Sequence, residues 1–199
     1  MANKAFTLAK EEWEDARQAL NSGELQVALR LAEQFTQQYP RVCSGWTLLG
    51  RIHRRLNQPD EALDSFRRSL DFASPKRHPM ILANIGTLLR DLGALGDAES
   101  TYREAIHLLP DEAGLHILLG GTLARQGRYD EAKAAHRKAV DLGNGDTDEA
   151  YLNLAYILRR EGHNQLALEM VEKALEIDPA HGPTTDLHRE LLALSELNQ

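Results

Sequence analysis

The sequence predicts an all-α fold, a solenoid of stacked antiparallel helix pairs, and three observations over its 199 residues predict it. A glycine followed five residues later by an alanine recurs at Gly23/Ala28, Gly93/Ala98, Gly127/Ala132 and Gly162/Ala167. Asn57/Ala62 fills the remaining place, and the five alanines lie 34, 36, 34 and 35 residues apart. A fixed period of this length marks a repeat architecture. Around each glycine, apolar residues recur at three-to-four spacing, which gives two amphipathic helices with a turn between them.

The units follow in order. The first, about 9–42, turns at Gly23. In the second, about 43–78, Trp46, Leu49, Gly50 and His53 share one helix face, and Ala62, Phe66, Ser69 and Leu70 share another. Asn57 stands between them because asparagine is the next-best residue after glycine for a left-handed helix cap. Pro59 suits the first turn of the following helix, where its missing N–H costs nothing. The third unit, about 79–112, follows the join "SPKRHP", Ser74 to Pro79, which accounts for the two extra residues in the spacing. The fourth, about 113–147, ends in "GNGDT", Gly143 to Thr147, where we expect the greatest flexibility before the fifth unit, about 148–181. A last amphipathic helix, 182–199, carries Leu187, Leu191, Leu194 and Leu197 on one face and caps the stack.

Small residues set the pair spacing. Gly50, Gly86, Gly120 and Ala155 on first helices, and the recurring alanine on second helices, let backbones approach. Trp46, Phe66, Tyr102 and Tyr151 fill the space around those contacts. One pair cannot bury its apolar stripe alone, so neighbouring pairs must stack.

Trp46, Leu49 and Gly50, followed by Ala62 and Phe66, resemble the signature of the tetratricopeptide repeat, and Pro40, Pro110 and Pro179 match its terminal proline. The resemblance covers five consecutive units, from about Ala9 to His181. It departs from the pattern at Glu12, beside Trp13, and at His116, His136 and Asn144. The resemblance implies a right-handed superhelix whose concave groove, lined by first helices, binds a peptide segment. Its usual lining slots give Arg17 in the first unit, and Leu48, Arg51, Arg54 and Arg55 in the second. They give Asn84, Thr87 and Arg90 in the third, Leu118 and Arg125 in the fourth, and Asn153, Tyr156, Arg159 and Arg160 in the fifth.

All the lining slots together carry nine basic and three acidic residues, in a chain of net charge -7. A basic, partly apolar groove implies an acidic or carboxylate-bearing peptide, because the planar fork of arginine matches a carboxylate. A second explanation stands beside it. Arg54, Arg55, Arg90, Arg125, Arg159 and Arg160 occupy the last turns of their helices, where the helix dipole favours cations without any ligand. Arg51 stands earlier in its helix and carries the ligand reading alone. Asn84 and Asn153 share one slot and resemble part of the asparagine ladder of sugar-transferring relatives, interrupted by Leu48 and Leu118. The terminal-carboxylate clamp of the chaperone-binding branch is matched only at Asn84.

Composition sets the remaining expectations. With 42% apolar and 27% charged residues the chain reads as a soluble globular protein. Its longest nearly apolar run, Leu115 to Ala124, is too short for a bilayer. The opening "MANKAFTLAK" lacks a secretion signal, and the single Cys43 suits a reducing compartment, so a cytoplasmic location is expected. The acidic balance argues against nucleic acid. No phosphate-binding glycine loop, zinc-binding HExxH or nucleophile elbow occurs, so we expect a non-enzymatic scaffold without cofactor or metal. The alternative is a targeting or substrate-recruiting module of a larger glycosyltransferase or sulfotransferase. His116 and His136 could face each other as a pH-sensitive pair or two metal ligands, or could simply replace packed aromatics. Phe6, Leu8 and Trp13 could leave the first helix apolar outside, so a monomer or weak homodimer is expected.

Overall fold

A computed structural model describes residues 2–197, and the side chains of 9–195. The described residues form eleven α-helices, one 3-10 turn and no strand. They are α1 (Ala2–Asn21), α2 (Leu25–Gln38), α3 (Cys43–Arg55), α4 (Pro59–Phe72), the turn Pro75–Arg77, and α5 (His78–Asp91). There follow α6 (Leu95–Leu108), α7 (Ala113–Arg125), α8 (Tyr129–Leu142), α9 (Thr147–Arg160), α10 (Asn164–Ile177) and α11 (Gly182–Leu197). Two compact parts divide between α5 and α6, Met1–Ala94 and Leu95–Gln199. No described helix is long and apolar enough to cross a membrane. Phe6, Leu8 and Leu197 lie outside the described side chains.

In the first part α1 pairs with α2 and α3 with α4, while α5 packs on α4. Ala16 and Leu20 of α1, Ala28 and Ala32 of α2, and Leu49 and Ile52 of α3 form one core cluster. Ala62 and Phe66 of α4 join Ile81 and Leu88 of α5 in another. In the second part α7 pairs with α8 and α9 with α10, and α11 packs on α10. Leu187 and Leu191 of α11 are buried in one cluster with Ala155, Leu158, Ala167 and Val171.

The turn residues adopt the predicted geometry. Gly23, Gly93, Gly127 and Gly162 have φ of 82°, 79°, 79° and 84°, and Asn57, the residue that replaces a fifth glycine, has φ of 58°. The helix-packing glycines act differently, by close approach. A Cβ on Gly50 would lie 2.6 Å from the Phe66 ring, and one on Gly120 would lie 2.7 Å from the His136 ring.

The two divergent histidines do not pair. His116 meets the Pro110 carbonyl through Nε2 at 2.8 Å, as Trp46 donates from Nε1 to the Pro40 carbonyl at 2.8 Å. A carbonyl only accepts, so His116 carries its proton on Nε2 and reproduces the bond of the indole six residues after a proline. His136 is fully buried beside Gly120, and among the described residues neither of its ring nitrogens has a hydrogen-bond partner. The reading of a two-ligand site is therefore replaced by two packed rings. Each holds an aromatic's place in a helix pair.

The join 143–147 is held by a side chain. Asn144 accepts from the Ala113 amide through Oδ1 at 3.0 Å and donates from Nδ2 to the Asp111 carbonyl at 2.8 Å. The Ala113 amide opens α7, where helix donors have no intrahelical partner, so the asparagine satisfies a group the helix leaves open. Asn144→Ala should destabilise the fold by about 1 kcal/mol, the usual scale for losing such a bond. Hydrogen exchange at Ala113 should accelerate in the variant. Unchanged protection there would show that the tie does not hold the join.

Candidate functional site

The first part contains a pocket of about 290 Å³ lined by Trp13 of α1, residues from Cys43 to Arg51 of α3, Lys76 and Arg77 of the 3-10 turn, and Met80 and Ile81 of α5. Among the described residues its lining holds three cations and no carboxylate. The indole Nε1 of Trp13 donates to the Ser44 carbonyl at 3.3 Å and fixes α1 against the start of α3. Thr47 and Ser69 share a 2.7 Å hydroxyl contact, and Ser69 also donates to the Cys43 carbonyl at 2.9 Å. These bonds tie α4 to the start of α3 beside the pocket. Arg77 reaches the Cys43 sulfur at 3.7 Å.

The structure separates the arginines that the sequence leaves together. Arg54 pairs with Asp91 at 3.2 Å, which brings two lining slots of successive first helices together and cancels their charge. Arg55 donates from Nη1 to the Leu20 carbonyl at 2.8 Å. It therefore serves the C-terminal end of α1 rather than that of its own helix, where a cation is favoured for the same dipole reason. Arg17 pairs with Glu14 and lies 5.6 Å over the Trp13 ring.

Arg51 is exposed, and among the described residues it makes no hydrogen bond or ion pair with an acid. Partial loss of water contact, and then the like charges of Arg54, Arg17 and Arg55, push its guanidinium below the ordinary arginine pKa. A guanidinium remains charged at any physiological pH, so the result is a cation held among cations. Such a group gains more than a paired one when an anion arrives.

The second part has its own pocket of about 540 Å³, lined by Ala124, Arg125, Tyr129, Tyr156, Ile157, Arg159 and Arg160. Here too no described carboxylate lines the wall, but two of the arginines are engaged. Arg159 pairs with Glu190 of α11, and Arg160 lies 5.2 Å over the Tyr129 ring. Arg125 and Tyr156 are exposed.

The remaining slots divide between core and surface. Leu48 is only 3% exposed, so it forms the wall between pocket and core more than an open contact. The Asn84 amide donates to the Met80 carbonyl at 2.7 Å, and the Thr87 hydroxyl donates to the Ala83 carbonyl at 2.8 Å. Both donors are turned onto their own helix. That weakens the asparagine-ladder reading at Asn84, while Asn153, Leu118 and Arg90 are half-buried. Lys76 and Arg77 are absent from the predicted lining. The signal for them is in the spacing: the two residues that lengthen one repeat interval to 36 make room for the turn that carries them.

Comparison with known proteins bears on the fold and its use. Tetratricopeptide repeat models match residues 11–78 and 111–180. Human protein O-mannosyl-transferase TMTC1 is 30% identical over 131 residues, 66% of this chain and 14% of the relative. Human protein O-mannosyl-transferase TMTC3 is 26% identical over 184 residues, 85% of this chain and 20% of the relative. The chain thus spans a fifth or less of the length of these curated relatives. The thermophilic TPR protein TTC0263 of Thermus thermophilus superposes with a TM-score of 0.77 at 23% identity, over 93% of this chain and 99% of that one. With repeat models matched on both sides of its middle and helix pairs turning at each recurring glycine or asparagine, the chain belongs to the tetratricopeptide repeat family.

Proposed function

We propose that this protein is a non-enzymatic, cytoplasmic scaffold that binds an acidic peptide segment along its first helices. Its fold is one that supports protein–protein interaction. In this reading the repeats are 9–42, 43–78, 79–112, 113–147 and 148–181, with 182–199 as cap. The observation that carries the acidic preference is that Arg51 lacks an acidic partner, and its pocket a lining carboxylate, among the described residues. Arg125 and Tyr156 offer the corresponding surface in the second part. Affinity near the micromolar level, about -8 kcal/mol, suits contacts of this number and exposure.

Anisotropy titration of a labelled acidic decapeptide tests the reading. Arg51→Glu should weaken binding roughly tenfold or more, equal to about 1.4 kcal/mol, since it removes an attraction and adds a repulsion. Binding should also weaken as salt rises, because the groups are partly exposed. Affinity unmoved by Arg51→Glu would remove Arg51 from the ligand path. A second reading is favoured by the names of the relatives: the chain would be a substrate-recruiting part or subunit of a larger transferase. A native polypeptide running at 22.3 kDa would exclude the fused form.

A further inference from the structure

We propose that the pocket between α1, α3 and α5 receives a phosphate monoester on the bound segment, held by Arg51, Lys76 and Arg77. The inference rests on the peptide-binding reading and narrows it to phosphorylated ligands. Its first support is charge count. Among the described residues three cations and no carboxylate line this pocket of about 290 Å³. A side-chain carboxylate brings one charge, whereas a phosphate monoester brings nearly two at neutral pH and three acceptor oxygens. It therefore satisfies more of this wall than an acidic residue can.

The second support is where the cations come from. Lys76 and Arg77 sit on the 3-10 turn Pro75–Arg77, built by the two residues that exceed the 34-residue spacing. Pro75 opens that turn, and the Arg77 amide donates to the Ser74 carbonyl at 2.8 Å, so the turn is closed by its own backbone. The lengthened join thereby delivers two positive charges to the wall facing Arg51. Neither engages a carboxylate among the described residues, unlike Arg54 with Asp91 and Arg17 with Glu14. A helix end needs no such insertion for its dipole, so dipole complementarity does not account for these two residues. The third support is the apolar side of the pocket. Trp13 and the half-exposed Met80 give the residues flanking the phosphate a surface to pack on.

The test uses the full chain and three degenerate heptapeptide pools with random flanks and a fixed central phosphoserine, serine or glutamate. Binding is read by anisotropy, with Trp13 fluorescence in a Trp46→Phe background as a local reporter. The phosphoserine pool should bind at least about tenfold more tightly than the glutamate or serine pool, a difference of about 1.4 kcal/mol. Arg51→Ala and the double variant Lys76→Ala/Arg77→Ala should each erase that preference, while Arg67→Ala, an exposed arginine outside the pocket, should keep it. Equal binding of the phosphoserine and glutamate pools overturns the phosphate inference and leaves the acidic-peptide reading standing. If no pool binds, the peptide-binding reading itself fails. Phenyl phosphate alone binding at Trp13 in that case would mark a small-anion site and overturn the proposal as stated. Circular dichroism of each variant separates lost binding from lost fold.

Discussion

His136→Phe should stabilise the protein and remove an acid-dependent loss of stability between pH 6.5 and 4. The wild-type ring is fully buried, its two nitrogens have no hydrogen-bond partner among the described residues, and burial lowers its pKa from 6.5 to about 4. Between those values the unfolded chain binds a proton that the folded chain does not. Stability therefore rises with pH across the window, is fully present above about 6.5, and is lost progressively as pH falls towards 4. The shift corresponds to about 3 kcal/mol, at 1.36 kcal/mol per unit. Even at pH 8 the ring has left water without replacing its hydrogen bonds, which costs about 1–3 kcal/mol. Phenylalanine removes both penalties, and Phe66 shows the slot taking a phenyl ring at the same approach to a glycine, 2.6 Å against 2.7 Å from the added Cβ. Urea denaturation of wild type and variant from pH 4 to 8 measures the difference, and other titrating groups cancel between the two curves. Parallel curves would show that His136 is not buried neutral.

The second large effect lies in the partner pair. Phe66→Ala should cost about 3–5 kcal/mol, because a fully buried ring leaves a cavity that its neighbours fill only in part. Gly50→Ala should cost about 1–3 kcal/mol for the opposite reason, since its methyl would fall 2.6 Å from that ring. In the double variant the methyl enters the space the ring has left. The double variant's loss should then fall short of the sum of the two single losses by about 1 kcal/mol or more, the signature of residues in direct contact. Additive losses in chemical denaturation would mean that the ring does not rest on Gly50.

Much of this is legible in the sequence because its signals are local. Helix faces follow from spacing within a dozen residues, and the recurring glycines mark turns because their backbone geometry excludes most side chains. Asn57 reads as a turn on the same ground, and its φ of 58° follows. His116 and His136 stand out as departures from an aromatic pattern. What each then does depends on a partner elsewhere: a carbonyl before α7 satisfies His116, while no described residue satisfies His136.

The same boundary runs through the candidate site. By itself the sequence determined the repeat period, the helix pairs, the residues that allow their close packing, and the place of Arg51 on a first helix. Only the tertiary structure decided which charges remain uncompensated. Arg54 meets Asp91, 37 positions away, and Arg55 meets Leu20, 35 positions away, while Lys76 and Arg77 arrive beside Arg51 on an inserted turn. Helix periodicity assigns a side chain to a face within one segment. Whether its charge is cancelled there depends on side chains that folding brings in from other segments.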